Sequence, residues 1–356
     1  MGIICVHKYN DIISVENLLS AWQEFQKGKT KKLDVMEFKR QLMNNIFSLH
    51  NDLKNKTYKH GEYEHFVICD PKRRDIHKAT VRDRLLHHAV YRILYPFFDK
   101  TFIADSYSCR DNKGTHRAMK RFDLFARKES KNYTKTVWIL KCDIRKFFAS
   151  INHEILIDIL KKRIEDEDIL WLLGNVIGSF STLRVVIPVK TGIQVYKNTD
   201  LDSRLRGNDK IKRGDDTRGV GLPLGNLTSQ LLVNIYMNEF DQYVKHKLKV
   251  KYYIRYADDF VFMSRNRNYL EGVSQKIEDF LTRELKLSLH PDKVFIKTIA
   301  SGVDFLGWVH FEKHKTLRTV TKRRMFRKVN EKNLTSYLGL LSHGNGFKLL
   351  SSLNLK

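Results

Sequence analysis

The chain has 356 residues, 42% of them hydrophobic and 11% aromatic, enough apolar material for one or two sizeable cores. Its 65 Lys and Arg stand against 40 Asp and Glu, a net charge of +25. A small-molecule enzyme has no need of that excess, whereas a polyanion partner does, because cations that neutralise phosphates release condensed counterions.

No window approaches the roughly 18 consecutive apolar residues of a membrane span, so no membrane partner is expected. The opening "MGIICVHKYND" shows neither a leader nor a myristoylation pattern, and a cytoplasmic location is the expectation. Cys5, Cys69, Cys109 and Cys142 are far apart without a CxxC and read as reduced thiols. His87 and His88 are adjacent and would point apart on a helix, which argues against zinc.

In chain order, residues 13–27 and 34–55 carry helical periodicity. "YEHFVICDPKRRDI" (63–76) reads as strand, Pro-marked turn and strand. "VRDRLLHHAVYRILYPFFD" (81–99) returns to helical spacing, and "SYSCRDNKGTHRAMKRF" (106–122) is a basic loop entering a helix. The strand within 135–151 ends on Asp143 and precedes an amphipathic helix at 153–164.

Residues 184–218 break the pattern: they are polar, Gly-punctuated and without periodicity, and a structureless loop of that length is uncommon inside a compact domain. "VIPVKTGIQ…LDSRLRGNDK" resembles the translated form of a dispersed bacterial palindromic repeat and reads as an insertion whose charges are solvated. Next come a Gly and Asn loop, "GLPLGNLTSQ" (221–230), and a helix at 231–248. "KYYIRYADDFVFMSR" (251–265) predicts a hairpin, followed by a helix near 268–285, "LKLSLHPDKVFIK" (285–297) and "GVDFLGWVHF" (302–311). Lys313 to Lys328 holds eight Lys and Arg in sixteen positions, and residues 334–353 close as helices.

Chemistry concentrates at three carboxylates. Asp258 and Asp259 sit between two apolar strand-like runs, where a tight turn holding Ala257, Asp258 and Asp259 would expose them at a sheet end. A lone turn aspartate merely caps backbone amides, but two such acids weaken that reading. Asp143 ends a comparable strand, "WILKCD". If the strands lie side by side, three carboxylates converge at a cost in mutual repulsion that divalent cations remove. Two Mg²⁺ ions so held would serve in-line phosphoryl displacement.

On these residues the chain resembles the reverse transcriptases. "YADD" (256–259) matches their catalytic hairpin and "CDIRKFFASINHEIL" their first catalytic strand. "GLPLGNLTSQLLVNIYMNEFD" looks like the nucleotide-pocket loop and its helix, with "LSLHPDKV" and "FLGW" following in order. "PKRRDI", "VRDRLLHHA" and "SYSCRDNKGTHRA" resemble the fingers motifs of bacterial, group II intron-like members. The resemblance covers roughly residues 60–350, apart from the insertion.

The implied fold is α+β, a right-hand polymerase of fingers, palm and thumb with an antiparallel-sheet palm. It divides into an N-terminal helical extension (1–60), fingers (61–135), palm (136–312, with part of the fingers and the inserted loop at 184–218) and thumb (313–356). The implied activity is RNA-directed DNA polymerisation from a cDNA primer on template RNA with dNTPs, using two Mg²⁺ ions or Mn²⁺ as a substitute. Many members have Gln before the loop Gly and Pro at the loop end; here the residues are Leu224 and Gln230. That form looks like the diversity-generating retroelement branch, which copies RNA with adenine-directed errors and uses a small basic accessory protein. A group II intron-like or defence-associated enzyme, or a non-catalytic RNA-binding relic, stays open beside it.

The resemblance assigns roles residue by residue. Asp143, Asp258 and Asp259 are the catalytic metal ligands, with Asp259 the outermost and Ile144 a candidate backbone carbonyl. Phe148 matches the gate against a ribose 2′-hydroxyl, while Phe147 reads as core. Lys72 and Arg74 match residues that grip the triphosphate, and Arg110, Leu224, Gly225, Asn226, Gln230 and Lys293 complete the nucleotide set. Lys293 matches a lysine that protonates the leaving pyrophosphate. Lys113, Gly307, Trp308, Lys322, Arg323 and Arg324 are assigned to nucleic acid, with core packing the competing reading for Trp308.

Overall fold

The computed structural model describes residues 3–69, 73–182 and 219–353. The chain forms two compact units, each built from two stretches: residues 1–101 with 146–237, and 102–145 with 238–356.

Among its described residues the first unit is helical with one hairpin. α1 (Tyr9–Ile13), α2 (Val15–Phe25), α3 (Leu33–Arg40) and α4 (Leu42–Lys54) precede β1 (Glu64–Ile68), β2 (Arg74–Lys78) and α5 (Val81–Asp99). The periodic stretch expected as one helix over 34–55 breaks at Gln41, whose φ of −120° and ψ of 37° leave the helical region. α2 packs along α5, where Leu18, Ala21, Leu85, Leu86 and Ala89 are fully buried. Asn17 crosses that seam, its amide donating to the carbonyls of Ile12 (2.8 Å) and Ala89 (3.2 Å). Thr80 caps α5 by accepting from the Asp83 amide, which satisfies one of the orphan donors of the first turn.

After the excursion into the second unit, the chain returns through a short 3₁₀ turn at Phe147–Ser150 to α7 (His153–Lys161) and α8 (Glu167–Gly178). α8 was not among the expected elements; Asp166 caps it through the amides of Asp168 and Ile169. The expected insertion, residues 184–218, lies outside the described residues. α9 (Leu227–Gln242) starts four residues earlier than the expected 231, with the Gln230 amide turned back to the Asn226 carbonyl at 3.4 Å.

The second unit is built on a four-stranded antiparallel sheet of order β4-β5-β3-β6, from β3 (Trp138–Asp143), β4 (Tyr252–Tyr256), β5 (Asp259–Ser264) and β6 (Phe295–Thr298). α6 (Thr115–Glu129) packs on β4 and β5, and α10 (Arg267–Arg283) packs on β3, β5 and β6. Side chains alternate along each strand, so Ile139, Val261 and Met263 join Phe122 and Phe125 of α6 in one core cluster. Asp143 and Asp259 share that parity and prolong the same face to the strand ends.

A smaller sheet, β7 (Val303–Phe305), β8 (Trp308–His310) and β9 (Lys315–Leu317), follows, and α11 (Thr319–Lys328), α12 (Glu331–Leu341) and α13 (Phe347–Leu353) close the chain. β9 lies inside the basic run from Lys313 to Lys328, where no strand was expected. Leu306 and Gly307 join β7 to β8 with φ of 52° and 87°, the positive pair that a two-residue hairpin turn demands. No helix among the described residues is long and apolar enough to cross a membrane. All four cysteines are free thiols.

Candidate active site

β3 and β5 pair so that Asp143 lies directly opposite Asp259. Each strand is buried through its middle and opens only at its ends, which puts the two carboxylates at the sheet margin. The connecting turn between β4 and β5 holds two residues, Ala257 and Asp258, since Tyr256 already pairs with Asp259. Asp259 is therefore a strand residue, not the turn residue that the sequence suggested. It is partly buried on the rung it shares with Asp143.

Two lysines answer this charge. Lys141 is buried and brings Nζ to 3.3 Å from Asp259 Oδ2, a diagonal contact across the pair of strands. Lys293 donates from Nζ to Asp143 Oδ1 at 2.9 Å. Desolvation pushes the Asp259 carboxyl up to about 7, with Lys141 opposing and Asp258 and Asp143 reinforcing the shift. Its Oδ1 is buried without a hydrogen-bond partner among the described residues.

Backbone contacts lock the acids in place. The Ile144 amide donates to the Asp258 carbonyl at 3.1 Å, and the His290 amide donates to the Asp143 carbonyl at 2.8 Å. Sequence reasoning missed Lys141, whose signal is a lone lysine inside the apolar run of "WILKCD". The donor set is all oxygen and includes an orphaned buried carboxylate oxygen, which suits a hard divalent cation. Among the described residues no three acidic, histidine or cysteine side chains already converge as a metal site, and lysines hold two of the carboxylates.

Within the first unit, the Leu224 carbonyl accepts from the His77 amide of β2 at 3.2 Å, which ties the Gly and Asn loop to the hairpin. Gly225 has a φ of 113°, and a Cβ there would sit 3.3 Å from Ile76, so glycine serves both conformation and close approach. Asn226 is buried and its amide nitrogen has no hydrogen-bond partner among the described residues. Gln230 is half-buried in the first turn of α9, and Leu224 is half-buried in the loop. Phe148 is half-exposed while Phe147 is buried, their rings 5.6 Å apart. Arg74 is exposed on β2, and Lys72 lies outside the described residues.

Other expected contacts take structural positions. Arg110 donates to the carbonyls of Ile103 (2.7 Å) and Ser106 (3.0 Å), and Lys113 donates to that of Ala104 (2.7 Å), so both brace their own loop. Trp308, assigned above to nucleic acid, is 2% exposed and packs among Met119, Leu317, Met325 and Leu341. A Cβ on Gly344 would fall 2.1 Å from its ring, so the backbone at Gly344 closes over the indole. Gly307 turns the hairpin beside it, and Lys322, Arg323 and Arg324 lie on α11 with the first two exposed.

Residues 58–310 match the family described as reverse transcriptase (RNA-dependent DNA polymerase). Similar proteins include Protein YkfC of Escherichia coli (strain K12), 24% identical over 268 residues that cover 66% of this chain and 62% of that protein. The group II intron-encoded protein LtrA of Lactococcus lactis subsp. cremoris is 21% identical over 321 residues, covering 72% of this chain and 48% of its own. The putative COX1/OXI3 intron 2 protein of Saccharomyces cerevisiae is 23% identical over 291 residues, covering 66% of this chain and 30% of its own. The chain thus spans less than two thirds of each of these relatives. It belongs to the reverse transcriptase (RNA-dependent DNA polymerase) family.

Proposed function

We propose that this member of the reverse transcriptase family extends a primer with dNTPs on an RNA template. The observation that carries the reading is the rung on which Asp143 faces Asp259, with Asp258 in the adjoining turn. Asp143, Asp258 and Asp259 would hold two Mg²⁺ ions, or Mn²⁺ in their place. Bound there, the metals supply charge neutralisation to the attacking and leaving oxygens of an in-line displacement.

The chain's own residues do the rest. Lys293 Nζ, hydrogen-bonded to Asp143, carries a proton that a departing pyrophosphate can accept. Phe148 gates the ribose, Arg74 and Lys72 grip the triphosphate, and the basic α11 holds duplex backbone. In this reading the four-stranded sheet is the palm, β1 and β2 belong to the fingers, and α11 to α13 belong to the thumb. The setting is cytoplasmic.

Leu224 and Gln230 support the finer assignment to the diversity-generating branch, working with a small basic accessory protein. An amide side chain at position 224 would offer the incoming nucleotide a polar contact; leucine does not, and selection loosens. The intron-encoded relatives favour a second reading, a group II intron-like enzyme. Purified protein with Mg²⁺, dNTPs and a primed RNA decides the first question: extension is expected, and Asp258→Ala abolishes it. Failure of the intact chain on several templates, with accessory partners added, sinks the polymerase reading. Sequencing the products decides the second, since errors concentrated at template adenines mark the diversity-generating branch and uniform accuracy marks the other.

A further inference from the structure

Behind the acidic face of the sheet lies a buried ion pair that none of the proposed catalytic steps uses. Arg255 of β4 pairs with Phe260 of β5, one residue out of phase with the Tyr256 and Asp259 rung, so its side chain leaves the sheet on the face opposite the acids. There it meets Asp241 of α9, and both side chains are 0% exposed. Nε lies 2.8 Å from Asp241 Oδ1, and Nη2 lies 2.7 Å from Oδ2. Tyr253 adds its hydroxyl to Oδ1 at 2.7 Å, and Nη2 also reaches Ser106 Oγ at 3.0 Å. The backbone of Arg255 is clamped as well: its amide donates to the Asp105 carbonyl and its carbonyl accepts from the Tyr107 amide, each at 3.0 Å.

A buried ion pair is a weak device for stability alone, because desolvation offsets its attraction and apolar residues of similar volume often serve as well. What apolar residues could not supply is the remaining arm. Arg255 Nη1 donates to the Ala257 carbonyl at 3.2 Å. Ala257 has a φ of 55°, a conformation that a side chain with a Cβ disfavours and that its surroundings must impose. Its carbonyl belongs to the peptide plane that ends on the Asp258 nitrogen. The next plane, carrying the Asp258 carbonyl, is held by the Ile144 amide. Both peptide planes flanking the Asp258 Cα are therefore pinned, one by Arg255 and one by β3's continuation.

We infer that Arg255, braced by Asp241, is a positioning residue that fixes the Ala257–Asp258 turn and so aims the Asp258 carboxylate. The kinetic consequence rests on the polymerase reading; the structural consequence does not. Sequence signals for the pair are slight, a single arginine in "YYIRY" and a single aspartate in "NEFDQYV".

The test compares Arg255→Lys with Tyr253→Phe in the full chain. Lysine keeps a cation against Asp241 but cannot also span to Ala257, whereas Tyr253→Phe removes a donor to Asp241 and leaves the turn contact intact. Arg255→Lys should lower kcat in primer extension by roughly tenfold to a hundredfold, the scale of a misplaced reacting group, with KM for dNTP nearly unchanged. Amide hydrogen exchange in the peptide over 252–264 should quicken by about tenfold at the turn, a local opening without global unfolding. Tyr253→Phe should lower Tm while kcat and turn exchange stay at the parent values. Unchanged turn exchange in Arg255→Lys overturns the inference, as does a kcat loss that Tyr253→Phe matches at equal loss of Tm. Should the parent chain extend no primer, the polymerase reading falls, and turn exchange alone then decides the positioning role.

Discussion

Asp143 and Asp259 occupy one rung of the β3–β5 ladder, and a different lysine holds each of them: Lys293 on Asp143 and Lys141 on Asp259. Adjacent carboxylates on directly opposed positions repel, so the rung is tolerable only while cations balance it. Replacing Asp143 with Asn should therefore abolish primer extension, by about 10³-fold or more, since the group acts on charge that develops in the transition state. Tm in the absence of divalent ions should change little, because relief of the repulsion offsets the weakened contact with the partly exposed Lys293. A parallel loss of folded protein would contradict this.

Lys141 is the more deeply buried of the two lysines. Lys141→Met leaves the Asp259 carboxylate without its ammonium partner, and removing one member of a buried pair costs about 3 kcal/mol. Thermal melts with and without Mg²⁺ check the cause: the ion should restore part of the lost Tm in the variant and do less for the parent.

Trp308→Ala separates packing from recognition. The indole sits in the cluster of Met119, Leu317, Met325 and Leu341, so its removal should destabilise the protein by about 3–5 kcal/mol in urea unfolding. Activity per folded molecule at low temperature should hold. A Trp308→Ala protein of full stability and lost template affinity would restore the nucleic-acid role.

The basic α11 carries Lys322, Arg323 and Arg324. If it grips phosphate backbone, changing all three to Gln should reduce the slope of log affinity against log salt by about 2 to 3, close to one per released contact. Fluorescence anisotropy on a primed RNA at several salt concentrations measures it, and an unaltered slope removes α11 from the interface.

His87 reports on the first unit. It is fully buried beside His60, with Nε2 to Nε2 of 3.3 Å, and burial holds its pKa down at about 3. The folded pKa lies below the ordinary value of 6.5, so the folded state resists protonation that the unfolded chain accepts. Stability is complete above about pH 6.5 and is lost as pH falls toward 3, by about 3 kcal/mol at pH 4. His87→Gln should flatten denaturation midpoints over that window relative to the parent.

Much of this was legible along the chain. β3, β4 and β5 are runs of apolar and branched residues, with Asp143 ending β3 and Asp259 opening β5, and α5 is periodic from Val81 to Asp99, as expected. Those features depend on alternation and spacing, which are local. The break at Gln41, the early start of α9 and the strand β9 within the basic run were not legible, because tertiary contacts there override weak local preference.

By itself the sequence determined which residues bear charge and at what spacing: one acid at the end of "WILKCD" and two between "YYIRY" and the following strand. Only the tertiary structure decided how those acids meet. Register paired Asp143 with Asp259 and left Asp258 alone in the turn, while Lys141, Lys293 and Arg255 came to them from other strands, other segments or the opposite face. Pairing between strands far apart in the chain follows from how whole faces pack, and a slip of one residue in a strand would turn that strand's side chains to the other face.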